Sequence, residues 1–287
     1  MKSIPTAPLC ARPIALACAV ISVAGCLALP ASAHDTWLAS KQKTARAGVE
    51  LDFDLTSGVR FPALGKGPKA ERIGNSGCVQ SGTKFDVVPG AVRPTSLAMT
   101  ARVPANASVT CYVELKPFLL DLKVTKIGEY LDEIDAPASV RQAWAAAPTP
   151  KRWLETYSKH AKVIIPSAPG QPASAVATPE PVAAPVGLAL EFVPEVDLST
   201  GSLAGKLPIK VLREGQPIEG LSVELVSARN SKGTWQKTDA QGRVEFAAPA
   251  PGRWMLRATD LRVTNAAEST WASRFATLVF EITAPAR

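Results

Sequence analysis

Six short segments near the end of the chain place an apolar side chain at almost every second position. They are LALEFV (Leu188–Val193), LPIKVL (Leu207–Leu212), LSVELV (Leu221–Val226), RVEFAA (Arg243–Ala248), RWMLRA (Arg253–Ala258) and ATLVFEI (Ala276–Ile282). A period of two turns one set of side chains to one face of an extended strand. Turn-forming residues separate the segments, in REGQP, DAQGR and APAPGR. Short half-buried strands at this spacing predict an antiparallel β-sandwich over residues 187–287.

The upstream part, residues 34–165, reads as a second β-rich domain. VELDFDLT (Val49–Thr56), TSLAMTARV (Thr95–Val103) and SVTCYVEL (Ser108–Leu115) alternate in the same way. The period then lengthens in IGEYLDEI, PASVRQAWAAA and TPKRWLETYSKH, which predicts a helical insertion over about 127–160. In its last piece Thr149 is placed as the cap and Pro150 as the first helical residue, with Trp153 and Tyr157 four apart on one face. AKVII returns the chain to the sheet. From Pro166 the composition changes to proline and alanine, with Glu180 as the single charge before Gly187. So few large apolar side chains cannot drive ordering, so residues 166–186 read as a linker.

The beginning of the chain is a leader. Lys2 and Arg12 precede an apolar run from Pro13 to Leu29, then Pro30 and Ala31-Ser32-Ala33. This is the pattern of a signal peptide over residues 1–33, and it predicts a periplasmic, soluble product that begins at His34. A second processing site competes with it. Val23-Ala24-Gly25-Cys26 resembles a lipoprotein box, which would leave the protein lipid-anchored at Cys26. No later segment reaches the roughly 18 unbroken apolar residues of a spanning helix, so no transmembrane span is expected in the mature chain. Of five cysteines only Cys78 and Cys111 lie outside the leader. An oxidising compartment favours a disulfide between them, the alternative being two buried thiols. The net charge of +7 is modest and contains no Lys/Arg runs, so nucleic acid is not an expected partner.

Four pieces, taken in order, resemble the bacterial exported family known as domain of unknown function 4198. They are AHDTWL, AGVELDFDLTSGVRFP, YSKHAKVII and the C-terminal strand set from LEFVPEVDL to WASRFATLVFEI. The resemblance implies a mostly β fold, in which a β-rich N-terminal domain precedes a transthyretin-like or immunoglobulin-like sandwich. It also implies a periplasmic component associated with nickel or cobalt uptake. Family members often carry His-Met after the W-x-x-x-A strand. Asp260-Leu261 stands at that place here, which leaves open whether Asp260 contributes to a site.

Histidine is scarce, with two residues in the chain, and one of them follows the Ala-x-Ala. A mature N-terminal His34 offers its α-amine and Nδ1 as a chelate, and a second imidazole from His160 would complete a three-nitrogen site. Asp35 can add an oxygen or orient an imidazole. The expected cofactor is one divalent transition metal, Ni, Co or Cu. The expected function is a metal-binding or metal-delivery protein serving a membrane metal transporter. The plainer readings are a polar residue at a processing junction for His34 and a helix-end residue for His160.

The alternative is a non-metal envelope interaction module that binds a protein or glycan. No catalytic residue is assigned. Ser158 and His160 are close in sequence, but there is no nucleophile elbow and no Gly-rich phosphate loop. An enzyme is not expected, with copper-dependent redox chemistry as the one rival. Glu129, Asp132, Glu133 and Asp135 read as a solvated helix face.

Overall fold

The computed structural model describes residues 35–168, 184–199, 201, 203 and 205–283. The chain runs β1 (Asp35–Ser40), β2 (Glu50–Gly58), β3 (Ile73–Gln80), β4 (Thr83–Phe85), β5 (Val88–Val92), β6 (Leu97–Arg102) and β7 (Val109–Leu122). Two short helices follow, α1 (Ile127–Glu133) and α2 (Ala138–Ala145), then β8 (Trp153–Ile165). The remainder is β9 (Leu190–Pro194), β10 (Lys206–Arg213), β11 (Gln216–Pro217), β12 (Ser222–Ser227), β13 (Asn230–Lys237), β14 (Arg243–Ala247), β15 (Gly252–Asn265) and β16 (Thr270–Ile282). The expected mostly β class is what the chain adopts.

The central layer is an eight-stranded sheet in the order β13-β12-β15-β16-β8-β7-β3-β4. Alternate residues of its strands enter different cores. Ala161, Val163 and Ile165 of β8, with Met255 and Val279, pack against Trp37, Phe53, Leu55 and Met99 of the sheet β1-β2-β6-β5. Ile164, Leu256, Ala276, Leu278 and Phe280 point the other way, onto Phe192, Ile209 and Phe246 of β9, β10 and β14. A third cluster holds the helices to the first face: Ile127, Tyr130, Leu131 and Val140 meet Trp153, Leu261, Trp271 and Phe275. Trp153 and Trp271 stack at 4.1 Å between ring centroids, and Tyr130 and Trp144 meet Trp153 edge-on.

The composition boundary at 166–186 does not divide this sheet. β8, from before it, pairs in parallel with β16, from after it, through ten residue pairs from Thr270↔Leu154 to Val279↔Val163. The described residues from Asp35 to Thr283 form one compact unit. The Pro/Ala segment is therefore a connection between two strands of one body, fastened at each end. Ala168 N–H donates to the Ala45 carbonyl at 3.2 Å. The N–H groups of Val186, Gly187 and Leu188 donate to the Glu191 carboxylate, which pairs at 2.6 Å with the buried Lys162 ammonium.

The helical insertion also ends earlier than expected. Residues 127–133 and 138–145 are helical, but Trp153 to His160 belong to β8. Trp153 and Tyr157, four apart, share a face in a strand as they do in a helix, so that spacing does not distinguish the two. β8 is flanked by β7 and β16 and covered on both faces, which suits its β-branched end Val163-Ile164-Ile165. Cys78 and Cys111 sit opposite each other on β3 and β7 and form the expected disulfide. Among the described residues no helix is long and apolar enough to cross a membrane.

Trp153→Ala removes the ring on which Trp271, Tyr130 and Trp144 pack. It is expected to cost about 3–5 kcal/mol, read from the urea unfolding midpoint. A loss below about 1 kcal/mol would contradict this account of how the helices are held.

Candidate functional site

Of the three residues expected to bind metal, His34 lies outside the described residues. Asp35 opens β1 and is buried. Its Oδ2 accepts from Arg257 Nη1 at 2.6 Å, and Thr277 Oγ1 donates to the neighbouring Thr36 carbonyl at 2.7 Å. β1 is thereby seated across β15 and β16. Arg257 also donates to Glu224 Oε2 at 2.5 Å, while Gly233 N–H donates to Glu224 Oε1 at 3.1 Å. Position 233 must be glycine for this: an added Cβ would lie 2.3 Å from the Glu224 carboxylate. Burial opposes the charge on Arg257, but Asp35 and Glu224 outweigh it and hold the guanidinium above its ordinary range.

Beside this pair lies a narrow crevice with room for little more than one water molecule, lined by Asp35, Glu133, Ile134, Trp235, Arg257, Ala258 and Thr259. Lys159 stands nearby. Burial lowers its pKa to about 8, and the carboxylates of Asp35, Glu155 and Glu133 resist that fall. Glu155 is buried and satisfied by the Tyr130 hydroxyl at 2.9 Å, the Trp153 indole at 2.7 Å and the Ser273 hydroxyl. Burial still raises its pKa. Four carboxylates, Asp35, Glu133, Glu155 and Glu224, thus stand around the start of β1 against three cations, Arg257, Lys159 and Arg72.

His160 is elsewhere. It shares the face of β8 that carries Lys162 and Ile164, whereas Arg257 and Met255 share the face that meets β1. The sheet itself separates His160 from Asp35, so the two do not form one ligand set. Nε2 of His160 lies 3.1 Å from Ser158 Oγ, and its buried Nδ1 has no hydrogen-bond partner among the described residues. Burial, then the Arg274 charge, lower its pKa to about 4. A cation beside Arg274 would be repelled. Among the described residues no carboxylate lies on Nδ1, where a hydrolytic triad places one. The helix-end reading of His160 falls with the helix, since the residue lies mid-strand.

Asp260 belongs to a different cluster, on the His160 face. Arg213 donates to both its oxygens, at 2.7 and 2.6 Å, while Arg262 and Arg274 approach to 3.6 and 4.0 Å. Arg274 also binds Glu214. Three guanidinium groups enclose one carboxylate, which leaves Asp260 no role as a metal ligand. Of the carboxylates in the helical region, Glu129 pairs with Lys126 and Asp132 with Arg141 on the surface. Glu133 lines the crevice beside Asp35, and Asp135 accepts from the Ser222 hydroxyl at 2.6 Å. Among the described residues, no three His, Cys, Asp or Glu side chains are grouped to hold a metal ion.

Arg257 and Glu224 escaped the sequence reading. Alternation in RWMLRA and LSVELV places them opposite Leu256, Ala258, Val223 and Leu225, where a charge reads as solvated, and only the tertiary packing of β1 buries that face.

These features define a β-sheet protein with a charged crevice at the start of its first strand. The chain belongs to the family described as domain of unknown function (DUF4198), whose model matches residues 31–260. No curated protein matches the chain. Among solved structures, the mouse nectin-like molecule 4 full ectodomain (Ig1–Ig3) is similar at 9% identity, over 88% of this chain and 66% of that one. Its TM-score is 0.17, too low to carry an argument.

Two outcomes follow. In a His34→Ala background the single remaining imidazole should stay neutral down to about pH 5 and titrate near 4, as read by NMR. Because this folded pKa lies below the unfolded value, stability is complete above about pH 6.5 and falls as pH drops toward 4, by on the order of 3 kcal/mol. A His160 ring that titrates between 6 and 7 would overturn its placement. Arg257→Met leaves Asp35 and Glu224 facing each other and should destabilise by about 3–5 kcal/mol in urea.

Proposed function

We propose that the protein is an exported, periplasmic carrier of one divalent transition metal ion, held where the processed chain begins. The observation that supports this is the position of Asp35. It is buried at the edge of a crevice shared with Glu133, and residue 34 precedes it by one peptide unit, about 3.8 Å between Cα atoms. Cleavage after Ala33 would put an α-amine and an imidazole at an acid-lined mouth, where carboxylates outnumber cations. Nitrogen donors with a carboxylate suit Ni, Co, Cu or Zn. In this reading the donors are the His34 amine and ring with the Glu133 carboxylate. Asp35 remains with Arg257 and fixes the start of the strand. His160 takes no part. An ion held at a chain terminus by few ligands is exchangeable, which suits delivery to a membrane transporter. A second reading, a module that binds an envelope protein, draws support from an open strand edge described below.

The test starts from the exported protein, its N-terminus established by mass spectrometry. Titration with Cu(II), Ni(II) and Co(II) by calorimetry should give one ion per chain. His34→Ala should weaken binding by more than about 100-fold and Glu133→Gln by about tenfold, while His160→Ala leaves it unchanged. Undiminished affinity in His34→Ala, or a chain that begins at Cys26, would overturn the proposal.

A further inference from the structure

β15 and β16 pair along their whole length, as far as Asn265↔Thr270. β12, the neighbour of β15 on its other side, reaches only to Val223↔Ala258, and its first residue is Ser222. Residues 259–263 of β15 therefore have no strand beside one backbone edge among the described residues; Thr259, Asp260 and Leu261 are buried at the foot of the gap, and Arg262 and Val263 reach solvent. Every second residue there turns its N–H and C=O outward. A strand edge without a partner is a template for another strand.

The edge is the floor of a cleft of about 410 Å³. Ile134, Pro137 and Val140 of the helical region form one wall, and Arg213 with Ile218 of the β10–β11 hairpin forms the other. The Glu219–Ser222 turn closes one end. The gap lies where β12 would have continued, between a layer on each face of the sheet.

The two faces of the slot differ in chemistry. Leu261 turns into the cluster that contains Ile134 and Val140, and Val263 packs against it. Asp260 and Arg262, alternate with these, turn to the opposite face, where Arg213 and Arg274 also meet Asp260. Asp260 is already saturated by Arg213. The Arg262 guanidinium makes no hydrogen bond among the described residues, and its side chain is 45% exposed. The acidic groups of the cleft lie at its other margin. Asp135 is held by Ser222 and lies 3.5 Å from Lys237, and Glu219 stands on the exposed rim.

The geometry points to β15 as the acceptor of an extended peptide from a partner protein, added as a strand beside residues 259–263. Its backbone would pair with the open edge. Its alternate side chains would be apolar toward Leu261 and Val140, and acidic toward Arg262, because Arg recognises carboxylates through parallel N–H donors. This inference does not depend on the metal reading, and its test contains no metal.

The test uses the full exported chain and a fluorescein-labelled, end-blocked heptapeptide that alternates valine and glutamate, with binding read by anisotropy. A lysine counterpart and two backbone N-methylated versions, methylated on the odd or on the even residues, complete the set. The glutamate peptide should bind at least about tenfold more tightly than the lysine one, and Arg262→Glu should reverse that order. One methylated version should lose binding and the other keep it, since only alternate amides face the edge. Arg262 is exposed, so an unchanged unfolding midpoint confirms that Arg262→Glu folds. The proposal is overturned if the glutamate peptide does not bind, if both methylated versions bind like the parent, or if Arg262→Glu leaves the preference unchanged. It is also overturned if sedimentation shows a dimer that Arg262→Glu dissociates, because the occupant is then a second copy.

Discussion

The parallel pairing of β8 with β16 is the constraint on which the rest of the fold depends. It joins the chain before the Pro/Ala segment to the chain after it, and it makes β8 an interior strand of the longest sheet. An interior strand with layers on both faces must satisfy two cores at once. Odd-numbered residues from Trp153 to Ile165 serve the helices and the first sheet, and the even-numbered His160, Lys162 and Ile164 serve the second. Its buried charges Lys162 and Glu155 are tolerable because each is matched. Lys162 has Glu191, and Glu155 has three donors. His160 stays uncharged.

The same layering sorts the candidate functional groups. A sheet is about 10 Å from its packed neighbour, and side chains on its two faces cannot converge on one ion. Asp35, Glu224 and Arg257 meet on one face, while Ser158, His160, Arg274 and Asp260 occupy the other. The chemistry available at the start of β1 is that of carboxylates outnumbering cations. The chemistry around Asp260 is that of arginines outnumbering carboxylates. A cation belongs with the first and an anion with the second.

Strands whose apolar residues alternate with polar or small ones were legible in the sequence. Val49–Thr56, Thr95–Val103 and Leu207–Leu212 all lie within or beside observed strands, although Asp54, Thr56 and Ala98, on the faces opposite Leu55 and Met99, are buried as well. The first half of β8 was not legible, since Glu155 and Lys159 interrupt the face that carries Trp153 and Tyr157 and leave a spacing that a helix also satisfies, whereas its end, AKVII, reads as a strand. β13, NSKGTWQK, was missed because an edge strand this polar gives no periodic signal, although Gly233 in it is required by Glu224. The cysteine pair was legible from count alone. The separation of His160 from Asp35 was not, because it depends on which face each strand presents, and register is set by tertiary pairing.

The Glu191 carboxylate grips three successive backbone amides while the Lys162 ammonium neutralises it from below. Ala168 is tied to Ala45 at the far end of the connection. The connection between these two anchors is thus relieved of any duty to position the strands it joins. Doubling the length of such a loop costs only about 0.6 kcal/mol of closure entropy. Residues 169–183 are accordingly a natural point for splicing in a foreign sequence, such as an affinity tag or a fluorescent reporter, with both anchors left intact.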